Sequence, residues 1–307
     1  ENWGRWVREA CAGRPALAAG FVGATSAGKS WLISRLQAAG SPGPSEAEGE
    51  CGGAAGGALL QSVTSDINLY VDPLEHIYYI DFEGTYGTQP LMQEVGGSAE
   101  ATEAVLERTA AAEWEASRRQ VLRDTLQPAI AYLMCDVVVF LTREKLVCRR
   151  ALEECEQFAA AANRRVASAP PPALVIVQNC CRPSEGLFER DRCTEAFRQV
   201  HLRSSEGAPA LWERYFRSID CLCIPDEGMV CKRSGFDGEE VSQAVLAELR
   251  AVLRRRLGER GSGLTQLQWF AALSTLCSAI NTRETIAMSA IQVHASAPGD
   301  EHRELQS

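Results

Sequence analysis

The sequence predicts an α/β fold, a mostly parallel central sheet flanked by helices, with a short α-helical segment after it. Three observations predict it. Continuous apolar runs bounded by turns alternate with helical patterns, as expected of strands buried on both faces by crossover helices. A glycine-rich turn, "GATSAGKS", joins the first apolar run to the first helical one. Beyond "GERGSG" the alternation stops and the chain reads as helix alone.

The first strand is "ALAAGFVG", ending at Gly23, and a helix follows over about 28–38. "LQSVTSDINLYV", Leu60–Val71, reads as a strand with an irregular beginning, followed by "IYYIDF", Ile77–Phe82. A helix over 100–132 leads to the strand "CDVVVFLT", Cys135–Thr142. A helix over 146–164 then leads to "ALVIVQN", Ala173–Asn179. A helix over 188–200 precedes "IDCLCI", Ile219–Ile224, and a helix over 238–257 closes the series. That last helix is signposted: Asp237 with Glu240 resembles a capping box, arginines fill its final turn, and Gly258 ends it. The run Arg254-Arg255-Arg256 reads as a solvated helix end favoured by the macrodipole.

"LTQLQWFAALSTLCSAI" places Trp269, Leu273, Leu276 and Ile280 on one helical face, and another helix starts near Thr285. The expected division is therefore an α/β domain over 1–259, and a linker with the first helices of a helical region over 260–307. Residues 40–58, rich in glycine, proline and serine, are expected to be a disordered surface insert, and the tail after Ser296 to be loose.

A chain of 307 residues can bury one large core, or one with a smaller appendage. Its net charge of −9 argues against nucleic acid as a partner, because phosphate backbones need a basic surface. The 12 cysteines contain no CxxC and the four histidines are scattered. They are expected to be small buried hydrophobes in a reducing, cytoplasmic setting. No apolar run approaches the ~18 residues of a membrane span. The chain begins at Glu1, which fits a processed chain or a piece of a longer one, and leaves open a membrane association of the parent through parts outside this chain.

The chemistry concentrates at the glycine-rich turn. Gly23-x-x-x-x-Gly28-Lys29-Ser30 fits the phosphate-binding P-loop pattern, in its required context of strand before and helix after. Gly23 and Gly28 permit the tight turn that aims the backbone N–H groups of Ala24, Thr25, Ser26 and Ala27, with the helix N-terminus, at phosphate oxygens. Lys29 can reach the β- and γ-phosphates, and the Ser30 hydroxyl can bind Mg²⁺. This predicts a nucleoside triphosphate with Mg²⁺ as ligand.

In "YYIDFEG", Asp81 ends an apolar strand and Gly84 follows three residues on. An acid there can hold Mg²⁺ through water, and the glycine N–H can register the γ-phosphate. The intervening segment carries Ser62, Thr64 and Ser65. Thr64 is the candidate for a second hydroxyl on Mg²⁺, and Ser62 a candidate for orienting the attacking water.

From these residues outward the chain resembles the guanylate-binding protein and atlastin branch of the dynamin superfamily of large GTPases. "LQSVTSDINLYVDPLEHIYYIDFEGTYG" is similar to its switch I to switch II region, and "YLMCDVVVFLTRE" to its next strand. "ALWERYFRSIDCLCIPDEG" resembles its guanine-cap strand, and "GLTQLQWFAALSTLCSAINTRETIAMSAI" the first helices of its stalk. The resemblance covers roughly 18–293. It implies a P-loop G domain and stalk, GTP hydrolysed to GDP with Mg²⁺, and a homodimer formed through the nucleotide-binding face.

Two departures stand out. Ser26 occupies the position where that branch has its catalytic arginine; such a finger is worth about 10³–10⁵ in rate. The loop is closer to the dynamin version, whose matching serine positions the bridging oxygen. The strand expected to read the base ends "VQNCCRPSEG", with Gln178 and Asn179 but no aspartate. Asn179 aligns either with the branch's base-reading aspartate or with the first asparagine of the Asn-Lys-x-Asp motif of GTPases at large. Pro225 ends the guanine-cap strand. The alternatives to a hydrolysing GTPase are a nucleotide-binding scaffold with little or no hydrolysis and a P-loop kinase or motor ATPase.

Overall fold

The fold was obtained as a computed structural model, which describes residues 15–38, 67–72, 76–82, 84, 127–146, 149–163, 171–184, 187–202, 215–231, 235–259 and 264–282. Apolar, β-branched segments supply the strands β1 (Leu17–Gly23), β2 (Asn68–Val71), β3 (Ile77–Asp81), β4 (Val137–Thr142), β5 (Ala173–Cys181) and β6 (Ile219–Pro225). They form one sheet in the order β2-β3-β1-β4-β5-β6. The pairs from β3 to β6 are parallel and β2 joins β3 antiparallel. A short hairpin, β7 (Val230–Cys231) and β8 (Phe236–Asp237), leads into the helix Gly238–Leu257.

The helices are α1 (Lys29–Ala38), α2 (Gln127–Met134), α3 (Arg149–Asn163), α4 (Arg190–Leu202), α5 (Gly238–Leu257) and α6 (Gln266–Thr282). Because strand residues alternate sides, the sheet buries two cores. Phe21, Tyr79, Val139 and Val175 meet Leu32, Leu36, Leu249 and Leu253 of α1 and α5 on one face. Tyr78, Ile80, Val138 and Ile176 meet Ile130, Cys155, Phe197 and Trp269 of α2, α3, α4 and α6 on the other. This is the expected α/β architecture, a mostly parallel sheet between helical layers.

Boundaries shift where turn chemistry overrides hydrophobicity. Cys135 belongs to the end of α2, its N–H donating to Ala131 O at 3.1 Å, so β4 begins two residues later than its apolar run. β5 continues to Cys181 through a bulge opposite β6. The predicted 100–132 helix is described only from Gln127, and the 60–66 half of the irregular strand, the 40–58 insert and the segment after 282 lie outside the described residues.

Helix α5 is capped by the Asp237 carboxylate, which accepts from Glu239 N and Glu240 N at 2.9 and 3.3 Å. Gly258 closes it in a right-handed conformation, φ −75°. The arginine run is not simply a solvated end: Arg255 and Arg256 both pair with buried Asp220, at 3.3 and 2.9 Å, because β6 runs beneath that turn.

Helix α6 starts inside the core. Trp269 is 1% exposed, stacks on Tyr78 with ring centroids 5.0 Å apart, and donates its indole N–H to Met134 O at 2.7 Å. Thr265 bridges Pro15, and Ala16 N donates to Leu264 O at 3.0 Å. A buried ion pair joins α5 to the end of β2, Arg250 to Asp72 at 2.7 Å, with Tyr79 donating to the same carboxylate oxygen at 3.3 Å. Removing one member of such a pair strands a charge and costs about 3–5 kcal/mol. Among the described residues, no helix is long and apolar enough to cross a membrane.

Candidate functional site

The chain lays β2 and β3 on one side of β1 and β4 to β6 on the other, so the strand order reverses at β1. Ligands of open α/β sheets bind outside the carboxyl ends of the strands at such a switch point. The loop from Gly23 to Lys29 stands there.

Its backbone needs the residues it has. Gly23 has φ +136°, and a Cβ on it would come within 2.1 Å of Leu141 O. Gly28 has φ +99° at the entrance to α1, where Leu32 N already donates to Gly28 O at 2.9 Å. Ser26, exposed at the apex, takes the left-handed conformation, φ +61°, which costs a non-glycine residue roughly 1–2 kcal/mol. Ala27 N donates to Ala24 O at 3.2 Å and closes the turn.

Lys29 is 6% exposed and folds back over the loop, donating to Gly23 O at 3.2 Å and Ala24 O at 3.1 Å. Its ammonium is thereby held within the concave side of the loop. On the β3 side, Ser30 Oγ donates to Asp81 Oδ2 at 2.5 Å, with Asp81 fully buried at the strand tip. Two hard oxygen donors from residues 51 positions apart thus converge beside the loop. Gly84 lies close by: Thr25 Oγ1 donates to Gly84 O at 3.2 Å, and a Cβ on Gly84 would stand 2.5 Å from Thr25 Cα. Thr25 therefore couples the phosphate loop to the segment after β3, a link that the spacing of the motifs does not reveal. Ser62 and Thr64 lie outside the described residues.

On the β5 side Asn179 bonds to the loop. Its amide Nδ2 donates to Ala27 O at 2.9 Å, and its Oδ1 accepts from Cys180 N at 2.9 Å. One end of the side chain thus bonds the loop and the other its own turn. The bulge between Gln178 and Cys181 makes this possible: Cys180 adopts φ +58° and faces solvent, which turns Asn179 inward, 5% exposed. Asn179 sits as a clamp on the glycine-rich loop. Gln178, 3% exposed, accepts from Leu146 N at 2.9 Å and fixes the loop after β4. Pro225 pairs with Cys181 at the end of β6.

A thiol cluster lies behind these residues. Cys193 and Cys223 have Sγ atoms 3.5 Å apart, and Cys181 Sγ donates to Gln178 O at 3.3 Å. Hydrogen bonds from Cys181 and Cys193 pull the Cys223 thiol below its ordinary range, whereas Cys193, bonded to Cys223 and buried, is pushed up. Burial also pushes Cys221 up. Among the described residues, no group of three or more acidic, histidine or cysteine side chains is arranged as a protein-only metal centre.

No family model matches the chain and no curated protein does. Among solved structures, it is similar to the Arl6 BBS3 small GTPase from Trypanosoma brucei with the bound nucleotide analogue GppNp. The identity is 10%, over 80% of this chain and 100% of that one, with a TM-score of 0.36. It is also similar to SsGBP in a mutation variant, at 8% identity over 80% of this chain and 57% of that one, with a TM-score of 0.33. Neither superposition is close enough to assign a family.

Proposed function

We propose that the chain binds GTP with Mg²⁺ at the "GATSAGKS" loop and hydrolyses it to GDP and phosphate. The observation that carries this reading is the convergence of buried Lys29 and the Ser30–Asp81 pair on one phosphate loop at the sheet's switch point. Oxygen donors from a serine and an aspartate suit Mg²⁺, which takes few protein ligands and keeps water and phosphate oxygens for the rest. When bound, the ion would neutralise charge on the β- and γ-phosphates.

The chain's own groups do the positioning. Loop N–H groups and Lys29 hold the phosphates, the Gly84 N–H senses the γ-phosphate, and Thr25 transmits its position to the loop. Thr64 would supply the second hydroxyl on the ion and Ser62 would orient the attacking water. Ser26, at the apex of the loop, would position the bridging oxygen. Two chains pair across the nucleotide face, and α6 carries the nucleotide-dependent motion into the helical region.

A second reading, a nucleotide-responsive scaffold with little hydrolysis, is favoured by Ser26 at the place of a finger arginine. Hydrolysis of GTP and ATP measured side by side at several protein concentrations, with Lys29→Ala as control, separates the two. GTP turnover that rises with protein concentration and disappears in the variant supports the GTPase. Tight GTP binding without turnover selects the scaffold.

A further inference from the structure

Guanine selection needs a hydrogen-bond acceptor for N1–H and the exocyclic amine; Asn179 and Gln178 are buried, 5% and 3% exposed, and their side-chain oxygens already accept from Cys180 N and Leu146 N. The geometry limits where a substitute can lie. Ser30 and Asp81 mark the metal-bearing end of the triphosphate on the β3 side of the loop, and Asn179 touches the loop from the β5 side. The nucleoside is at the other end of the phosphate chain from the γ-phosphate, so it extends over the tips of β5 and β6.

Two exposed, oppositely charged side chains stand there. Cys181 pairs with Pro225, and Asp226 N donates to Cys181 O at 3.3 Å, so Arg182 and Asp226 are the next residues off two adjacent strands. Neither forms an ion pair among the described residues. The turn carrying Asp226 is braced. Asp226 Oδ1 accepts from Gly228 N at 3.1 Å, Met229 N donates to Asp226 O at 3.1 Å, and Gly238 N to Met229 O at 3.0 Å. Next to it, Glu227 is held by Arg35 of α1 at 2.6 Å and by Ser242 of α5 at 2.9 Å. A carboxylate on so fixed a turn is pre-organised for recognition.

We propose that Arg182 and Asp226 form a guanine-reading pair, the guanidinium donating to O6 and N7 and the carboxylate accepting from N1–H and the exocyclic amine. This rests on the reading of the loop as a GTP site. The pair complements guanine and rejects adenine. At the same positions adenine would set its amine donor against the guanidinium and its N1 lone pair against the carboxylate. The acid that reads the base thus comes from the tip of β6.

The test is a set of binding titrations with GTP, ATP and xanthosine triphosphate, and with inorganic tripolyphosphate as a probe of the phosphate loop alone. The proteins are the unmodified chain, Asp226→Ala, Asp226→Asn and Arg182→Ala. Both residues are exposed, so the variants should fold, which their Tm values check. We expect GTP affinity to fall about 30–100-fold in Asp226→Ala and about 5–20-fold in Arg182→Ala, with tripolyphosphate binding unchanged. Asp226→Asn should gain affinity for xanthosine triphosphate, because its amide N–H can meet the 2-oxo group that repels a carboxylate.

A GTP preference that survives Asp226→Ala overturns the proposal and leaves the GTP site standing. Equal binding of GTP and ATP by the unmodified chain also overturns it, leaving a phosphate site without base selection. Failure of the unmodified chain to bind any triphosphate refutes the GTP site itself, and the base-reading pair with it.

Discussion

The two halves of the sheet's carboxyl-end face are built on opposite plans. At the tips of β1 and β3, polar side chains are buried and bonded to one another or to the loop: Lys29 to Gly23 O and Ala24 O, Ser30 to Asp81. At the tips of β5 and β6, the buried amides of Asn179 and Gln178 brace backbone, and the charges, Arg182 and Asp226, face solvent. The difference teaches which interactions each end can afford to expose. Phosphate and a divalent ion carry enough charge to displace strong internal hydrogen bonds, whereas a neutral base must be met by groups with unspent donors and acceptors.

The most severe way to break this contrast is Lys29→Ala. Loss of the ammonium should weaken triphosphate binding about a thousandfold, read by calorimetric titration, while far-ultraviolet circular dichroism stays unchanged. An affinity within a few-fold of the original would mean that the loop does not hold phosphate. Ser30→Ala addresses the ion. The Mg²⁺-dependent part of GTP affinity should drop by about 10–100-fold, and affinity without Mg²⁺ should barely move. If both fall together, Ser30 acts on the loop and not on the ion.

Asn179→Ala sharpens the other end. It leaves Ala27 O without its donor, and should lower stability by about 1–3 kcal/mol and weaken GTP, ATP and tripolyphosphate alike. A selective loss of GTP would instead make Asn179 a base reader. The smallest effect concerns the thiols. Iodoacetamide at pH 8 should label exposed Cys180 and leave Cys221 unmodified, because burial keeps that thiol protonated. Mass spectrometry of the peptides checks it. Bound GTP should slow Cys180 labelling, since the residue adjoins the clamp.

Sequence reading reached the geometry of the glycine-rich loop, because its logic is local. A glycine that must take positive φ, a lysine beside it and a helix start all lie within "GATSAGKS", and an acid at the tip of an apolar run announces Asp81. The same pattern, an acid directly after the apolar run "IDCLCIP", marks Asp226. Asn179 could not be placed from sequence: its partner lies 152 residues away, and its direction depends on a bulge that hydrophobic pattern does not encode. The same holds for Arg250, whose Asp72 partner is 178 residues distant. It holds too for the arginine pairs on Asp220, which look like a solvated helix end until β6 is set beneath them.

Hydrophobic period, turn residues and one motif by themselves determined the strands of the sheet, the helices between them and the phosphate loop, since each is a property of neighbours along the chain. The tertiary structure alone decided that Trp269 closes the α/β core, that Thr25 reaches Gly84, and that Asn179 serves the loop while Arg182 and Asp226 come side by side. Those outcomes depend on the register of parallel strands joined by long crossovers. Register is fixed by how the two cores pack together, not by any short stretch of residues.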